Sequence, residues 1–412
     1  MRLLVLALTI LAGAAHAAPL SDPALEARAA LIHDKVTAID THVDIPLDFA
    51  TDAIDPGGFT KSQVDLPKMR AGGLDAPFFI VYTPQGPLTD EGYRKAFEIA
   101  FTRLSAIHRF VNAYPDEIRL ARSAAEARRI VKSGRKVAFI GMENSFPLGP
   151  APSQEAIDDM ARQGVRYAGI SHFGHNQFGD SSNPNTEGGD APEKWGGLSP
   201  LGRDLVAMLN KAGIMVDVSH ASRQVMMQAV ELSKAPIIAS HSGVKAIADS
   251  PRNLDDEQLL ALKNSGGVVQ IVALDVYVKP LNAEQKALQD KIRKEMNLDT
   301  SVKRAAMSKE IEAEYKKRVD KMWEIAPRAT VSDFVDHIDH AVKIAGVDHV
   351  GIASDFDGGG GVVGWENASE TLNVTRELVK RGYTEGDIAK IWGGNLLRVL
   401  SEAERMAKSL SK

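Results

Sequence analysis

Five side chains able to hold a metal ion stand where short apolar runs of this chain end. They are His42 and Asp44 in Asp40-Thr41-His42-Val43-Asp44, Glu143 in Gly141-Met142-Glu143, His220 in Val218-Ser219-His220, and His241 in Ala239-Ser240-His241. Side chains alternate along a strand, so His42 and Asp44 point the same way and can grip one ion. Each of the other three, taken alone, reads more simply as a hydrogen-bonded polar residue. Brought together, three imidazoles and two carboxylates form a cluster of acidic charge that is costly to bury unless cations compensate it. A carboxylate can bridge two ions. Five ligands therefore suit a two-metal site with His42 and Asp44 on one side, Glu143 between, and His220 and His241 on the other. Nitrogen and oxygen donors without sulfur suit zinc best, with manganese or cobalt as alternatives. The chemistry of such a site is hydrolysis, because a water shared by two cations ionises near pH 7, to about the extent a nucleophile at neutral pH needs.

For these residues to meet, the apolar runs that carry them must lie side by side. Eight runs read as strands: Val36–Thr41, Ala76–Tyr82, Val137–Met142, Tyr167–Ser171, Ile214–Ser219, Pro236–Ser240, Gly267–Ala273 and His349–Ser354. Most are continuously apolar rather than alternating, as in parallel strands buried on both faces. Helix-length stretches at Tyr93–Asn112, Gln154–Gln163, Leu201–Ala212, Arg223–Leu232, Asp255–Asn264 and Val331–Ala345 separate them. This α/β alternation predicts a TIM-type (β/α)8 barrel rather than a doubly wound sheet, and barrel enzymes place their chemistry at the C-terminal strand ends.

The connection between the seventh and eighth strand candidates, residues 279–327, is rich in Lys and Glu. Its apolar residues recur at helical spacing, which predicts a helical insertion. A solvated hairpin is its simpler reading; a lid or a subunit contact in a homodimer is the other. Gly188–Pro200 is a Gly- and Pro-rich loop that could move over a site, or lie passively at the surface. Asp22-Pro23 can open a helix through Leu31. Near the end, Thr371–Arg381 stops at Gly382, and Thr384 with Asp387 resembles a capping box before a final helix through Leu400.

Composition excludes several classes. The net charge of −5 over 412 residues is small and its signs are interspersed, so no nucleic-acid partner is indicated. There is no Cys, which removes disulfides, thiolate nucleophiles and zinc-thiolate sites. Met1-Arg2, an apolar run from Leu3 to Ala12 and the small residues ending at Ala15-His16-Ala17 read as a signal peptide over residues 1–17. The remainder, 18–412, reads as one catalytic barrel. With a polar C-terminus and no long apolar segment, a periplasmic or extracellular soluble protein without a stable membrane anchor is expected.

Several ordered motifs resemble the membrane (renal-type) dipeptidases, metallopeptidase family M19, within the amidohydrolase-like barrels. They are Asp40-Thr41-His42-Val43-Asp44, Gly141-Met142-Glu143-Asn144, Gly164-Val165-Arg166-Tyr167, Asp217-Val218-Ser219-His220, Ser240-His241-Ser242, Ser250-Pro251-Arg252-Asn253 and Gly351-Ile352-Ala353-Ser354-Asp355-Phe356-Asp357-Gly358. The resemblance spans most of the chain. It implies His42 and Asp44 on one zinc, Glu143 bridging, and His220 and His241 on the second. It further implies that His172 contacts substrate and stabilises the oxyanion, that Arg252 pairs with the substrate carboxylate, and that Asp355 meets the free amine or shuttles the proton. A guanidinium fork suits a carboxylate and an acid suits an ammonium, so the pair would measure a dipeptide.

Two departures lie near the expected pocket. Ala76-Pro77-Phe78-Phe79 stands where the family has Gln followed by Phe-Trp, and Gly169-Ile170-Ser171 replaces Thr-Leu-Thr before His172. They bear on substrate preference, including tolerance of a C-terminal D-residue, rather than on metal. Two rival readings share the residues: an N-acyl amino acid deacylase or lactonase-type amidohydrolase, and a catalytically silent periplasmic binding protein.

Overall fold

The computed structural model describes residues 22–299, 303 and 307–411, so the leader read in residues 1–17 lies outside the described part. The strands are β1 (Ile39–Val43), β2 (Ala76–Tyr82), β3 (Ile118–Leu120), β4 (Lys136–Glu143), β5 (Val165–Gly169), β6 (Met215–Asp217), β7 (Ile238–Ser242), β8 (Val268–Val272) and β9 (Val350–Ala353). Eight of them run parallel in the order β1-β2-β4-β5-β6-β7-β8-β9, while β3 pairs only with the first residues of β4. The ends of the sheet meet. Asp44 N donates to Phe356 O at 2.8 Å and Asp355 N to His42 O at 3.0 Å. Thr41 Oγ1 donates to Ile352 O at 3.0 Å and to Ser240 O at 2.8 Å, reaching across the interior. The result is a nearly closed α/β barrel of TIM type, with helices between successive strands.

Alternation sorts the strand side chains. Phe79, Val81, Ile140 and Ala168 join the core shared with the helices, whereas Phe78, Ile80, Phe139, Tyr167, Met215 and Ile238 form a second core. In that second core Phe78 stacks on Phe139 with ring centroids 4.5 Å apart and on Tyr167 at 5.3 Å. Gly141 makes room for this layer, since a Cβ there would stand 2.2 Å from the Tyr167 ring.

All eight barrel strands occur where the apolar runs predicted them, with shifted ends that matter for the site. The first begins at Ile39, not Val36, because Val36 still belongs to the turn after the helix Asp22–His33, its N–H bonding to Ile32 O at 3.1 Å. His42 and His241 therefore lie inside strands β1 and β7, while β6 stops at Asp217 and leaves His220 on a turn. Among the elements without a sequence counterpart are β3, with three residues, and the helices Leu66–Gly72, Ala124–Lys132 and Asp275–Val278. The final helix runs Asn395–Leu410, beyond Leu400, and the Thr384–Asp387 capping box is present.

Between β8 and β9 the chain forms a short helix, Asp275–Val278, then the helices Ala283–Glu295 and Lys309–Val319. Arg293 Nε donates to Tyr315 Oη at 3.0 Å and Arg318 pairs with Glu295, which joins the two longer helices. Ile311 is 45% exposed and Ile292 is buried, so the pair is a largely solvated hairpin on its outer side. The Gly188–Pro200 stretch is strapped down: Asp180 accepts the N–H groups of Lys194, Trp195 and Gly197 at 3.0–3.1 Å. No described helix is long and apolar enough to cross a membrane.

Overpacking a filled interior costs about 1–3 kcal/mol. Gly141→Ala should lower the unfolding free energy in urea by that amount, and an unchanged denaturation curve would show that Tyr167 has space to yield.

Candidate metal centre

Glu143 is the last residue of β4 and points into the barrel mouth, where its two oxygens face different imidazoles. Oε2 lies 3.5 Å from His42 Nε2, while Oε1 lies 2.9 Å from His220 Nε2 and 3.4 Å from His241 Nε2. Asp44 Oδ2 is 3.4 Å and Asp355 Oδ1 is 3.8 Å from the same His42 nitrogen. His220 Nε2 and His241 Nε2 approach to 2.9 Å, and His172 Nε2 stands 3.6 Å from Glu143 Oε1. The five residues expected to hold metal are thus brought together with His172 and Asp355.

The electrostatics fit a cation. Asp44, Glu143 and Asp355 surround one imidazole, and no Lys or Arg among the described residues lies in ion-pair range of them. Burial pushes the Asp355 carboxyl well above the ordinary carboxylate range, with the Asp44 and Glu143 charges adding to it and His42 opposing. Burial also holds the His220 and His241 imidazoles well below 6.5, so both are neutral, the form that ligates metal. For His42 burial acts in the same sense, but the charges of Glu143 and Asp44 outweigh it and raise its pKa. His42 Nε2 is buried without a hydrogen-bond partner, and a cation held there would take the place of the proton that the carboxylates otherwise favour.

In His42 and His241 the other ring nitrogen is fixed from behind, whereas His220 Nδ1 is buried without a partner. Tyr167 Oη donates to Thr41 O at 3.0 Å and lies 3.0 Å from His42 Nδ1. With its own proton committed, the phenol oxygen accepts from Nδ1–H, which aims Nε2 at the carboxylates. Ser240 Oγ donates to Asp217 Oδ2 at 2.7 Å and accepts from His241 Nδ1 at 2.9 Å, setting the same tautomer there. Asp217 is held in turn by the N–H groups of Ser219 and Ser240 at 3.0 and 2.8 Å.

Several site residues occupy left-handed backbone: Asn144 (φ 68°), His220 (φ 65°), Asp355 (φ 59°) and Asp357 (φ 59°). Such residues cost about 1–3 kcal/mol each and persist where surroundings over-determine them. At Asp355 the fixing groups are the amides of Gly358 and Gly360, which donate to its carbonyl at 3.1 and 2.7 Å. Gly358 passes so near the site that a Cβ would stand 2.2 Å from Asp44 Oδ2.

A cavity of about 640 Å³ opens above the centre, bounded by Asp44, Glu143, His172, His220, His241 and Asp355, with Tyr82, Phe173 and Tyr277 among its walls. His172 is neutral through burial, and its ring meets Tyr82 edge-on at 4.9 Å. Arg252 does not line this cavity. Its Nη2 donates to His241 O at 3.1 Å, its guanidinium lies 5.4 Å from the Tyr277 ring centroid, and its Nε is buried without a partner. Sequence reading missed the groups that hold these walls. Arg103 donates to Ile45 O and Tyr82 O at 3.0 and 2.8 Å, pinning the segments after β1 and β2. Asn253 Nδ2 donates to Tyr277 O at 2.9 Å, and His337 accepts Val244 N–H at 2.9 Å while its Nε2 meets Val278 O at 3.0 Å. All lie far apart in sequence from what they hold, with no local signal.

A parallel barrel whose C-terminal mouth gathers imidazoles around a shared carboxylate is the architecture of a metal-dependent hydrolase. The model of the membrane dipeptidase family, peptidase family M19, matches residues 26–412, and the chain belongs to that family. It is 30% identical over 356 residues to dipeptidase aclJ of Aspergillus oryzae, covering 85% of this chain and 72% of that protein. With dipeptidase ataJ of Aspergillus terreus it shares 30% over 400 residues, 90% of this chain and 86% of that protein. The crystal structure of the probable dipeptidase PvdM from Pseudomonas aeruginosa superposes with a TM-score of 0.84 at 34% identity, covering 94% of this chain and all of that one. The protein is accordingly a dipeptidase of the M19 family, a peptide-bond hydrolase that uses divalent metal.

Removing a partner behind a metal-bound imidazole costs about 10–100-fold in metal affinity. Tyr167→Phe should weaken metal binding by that factor in competition with a chromogenic chelator, with an unchanged circular dichroism spectrum; wild-type affinity would remove the phenol from the metal site's support. His337 makes a separate, pH-dependent contribution. Burial depresses its folded pKa, so its stabilisation is complete above the unfolded value of about 6.5 and is lost as pH falls through the folded value. Urea midpoints measured from pH 8 to 5 should fall below pH ~6.5, and less steeply in His337→Gln; parallel profiles would assign the acid loss elsewhere.

Proposed function

We propose that the enzyme is a two-metal dipeptidase, with His42, Asp44 and Glu143 holding one ion and Glu143, His220 and His241 the other. The observation that carries this reading is the division of Glu143, one oxygen towards His42 and the other towards His220 and His241. The donor set of nitrogen and oxygen favours zinc. When bound, such ions supply a water that ionises at about pH 7 and polarise the scissile carbonyl.

The chain's own residues do the rest. Asp355, buried beside the centre, is suited to meet the substrate ammonium and to carry the proton to the leaving amine. Neutral His172 stands on the Oε1 side of Glu143, where its ring N–H can stabilise the developing oxyanion. Arg252 stands behind the cavity wall with an unpartnered Nε beside Tyr277, and a substrate carboxylate reaching past Tyr277 would meet its guanidinium. Reading both termini limits the substrate to two residues. Recognition at the carboxylate leaves the neighbouring side chain less constrained, so L-Xaa-D-Xaa dipeptides join L-Xaa-L-Xaa in the proposed range. The leader over residues 1–17 supports export to the periplasm or beyond.

Glu143→Gln should abolish dipeptide hydrolysis and reduce bound zinc below the two equivalents expected by elemental analysis. Full activity despite metal loss would overturn the two-metal reading. Acetylating the substrate N-terminus should stop turnover; sustained hydrolysis would instead identify an N-acyl amino acid deacylase.

A further inference from the structure

At the end of the barrel opposite the metal centre, where β3 pairs with the first residues of β4, a second cavity of about 600 Å³ opens. Four arginines line it, Arg119, Arg122, Arg129 and Arg135, together with His108 and a single acid, Glu126. Their sequence positions span three elements: β3 and its flanks, the helix Ala124–Lys132, and the turn into β4.

The positive charge there is poorly compensated. Glu126 Oε2 accepts the backbone N–H of Arg122 at 2.8 Å. Arg119 Nε and Arg122 Nε donate to the carbonyls of Pro115 and Arg162 at 2.6 and 3.0 Å, contacts that orient the guanidinium groups without neutralising them. The acid paired with Arg135, Asp116, is 3.7 Å away and 90% exposed, too solvated to offset much charge. The exposed Arg129 guanidinium has no hydrogen-bond or ion-pair partner among the described residues. Arg135 Nε is buried with no hydrogen-bond partner, and His108 Nε2 is buried with none within normal hydrogen-bond geometry. Leaving such groups unmet is costly, and a multiply charged oxyanion satisfies guanidinium forks bidentately. The half-buried Ile130 and buried Leu120 add an apolar floor. The cavity's volume falls in the range of small-molecule sites, about 300–1,000 Å³.

We propose that this cavity binds a phosphate monoester dianion with an apolar body, either a soluble phosphate ester or the headgroup of an anionic lipid. The site is separate from the hydrolytic one and carries no metal-ligand cluster of its own.

Phenyl phosphate titrated calorimetrically into the metal-loaded enzyme should bind one to one. Arg129→Gln/Arg135→Gln should lower that affinity about tenfold or more, as should Arg119→Gln/Arg122→Gln, with dipeptide hydrolysis unchanged in both. Absence of saturable binding, or equal affinity in wild type and both variants, overturns the proposal, the second because it puts the phosphate at the metal centre. Cosedimentation separates the sources. Wild-type binding to phosphatidic acid vesicles but not to phosphatidylcholine vesicles, lost in the variants, identifies a lipid headgroup; phenyl phosphate binding without vesicle binding identifies a soluble ester.

Discussion

Three carboxylates, Asp44, Glu143 and Asp355, crowd one buried imidazole nitrogen at 3.4–3.8 Å, and the surrounding structure is arranged to make that tolerable. Like charges in a low-dielectric mouth repel, and a fold that holds them must supply counter-charge and rigidity together. The divalent metal that this family uses would supply the charge. The rigidity comes from strand ends, from four left-handed residues locked by amide hydrogen bonds, and from Gly358, whose missing side chain allows the backbone to pass beside Asp44 and Asp355.

The ligands depend on the barrel interior as much as on each other. Tyr167 fills the space left by Gly141, stacks on Phe78, and presents its hydroxyl to His42. Packing and ligand orientation are therefore one device: the ring is core and the oxygen is second support to the metal site. The Asp217-Ser240-His241 chain repeats the arrangement on the other side with a hydroxyl relay in place of a phenol. Both leave Nε2 facing Glu143.

Above this rigid floor, the cavity walls are borrowed from segments that have no element of the barrel in common. Arg103 ties the ends of β1 and β2, while Asn253 and His337 tie the segment after β7 to the short helix carrying Tyr277. The long excursion between β8 and β9 contributes its first turn to the pocket and keeps its outer helices largely in solvent. The opposite end of the barrel carries a different character, a basic hollow beside β3 instead of an acidic one.

Period and position along the chain determined a good deal. Continuous apolar runs gave the parallel strands, their number and alternation gave the barrel, and the polar residues ending four runs pointed together to His42, Asp44, Glu143, His220 and His241, because three imidazoles and two carboxylates at one barrel mouth are costly without a cation. Hidden from the sequence was everything that depends on non-local approach. Tyr167 read as one more apolar strand residue, Gly141 as a neutral spacer, His337 as part of a helix pattern, and Arg119, Arg122, Arg129 and Arg135 as dispersed surface charge. Each acquires its role only when closure of the barrel brings it within 3–4 Å of atoms tens to hundreds of positions away, or gathers it round a common hollow. A linear pattern records which face a residue takes; the partner it meets there is fixed by the register and packing of the whole sheet.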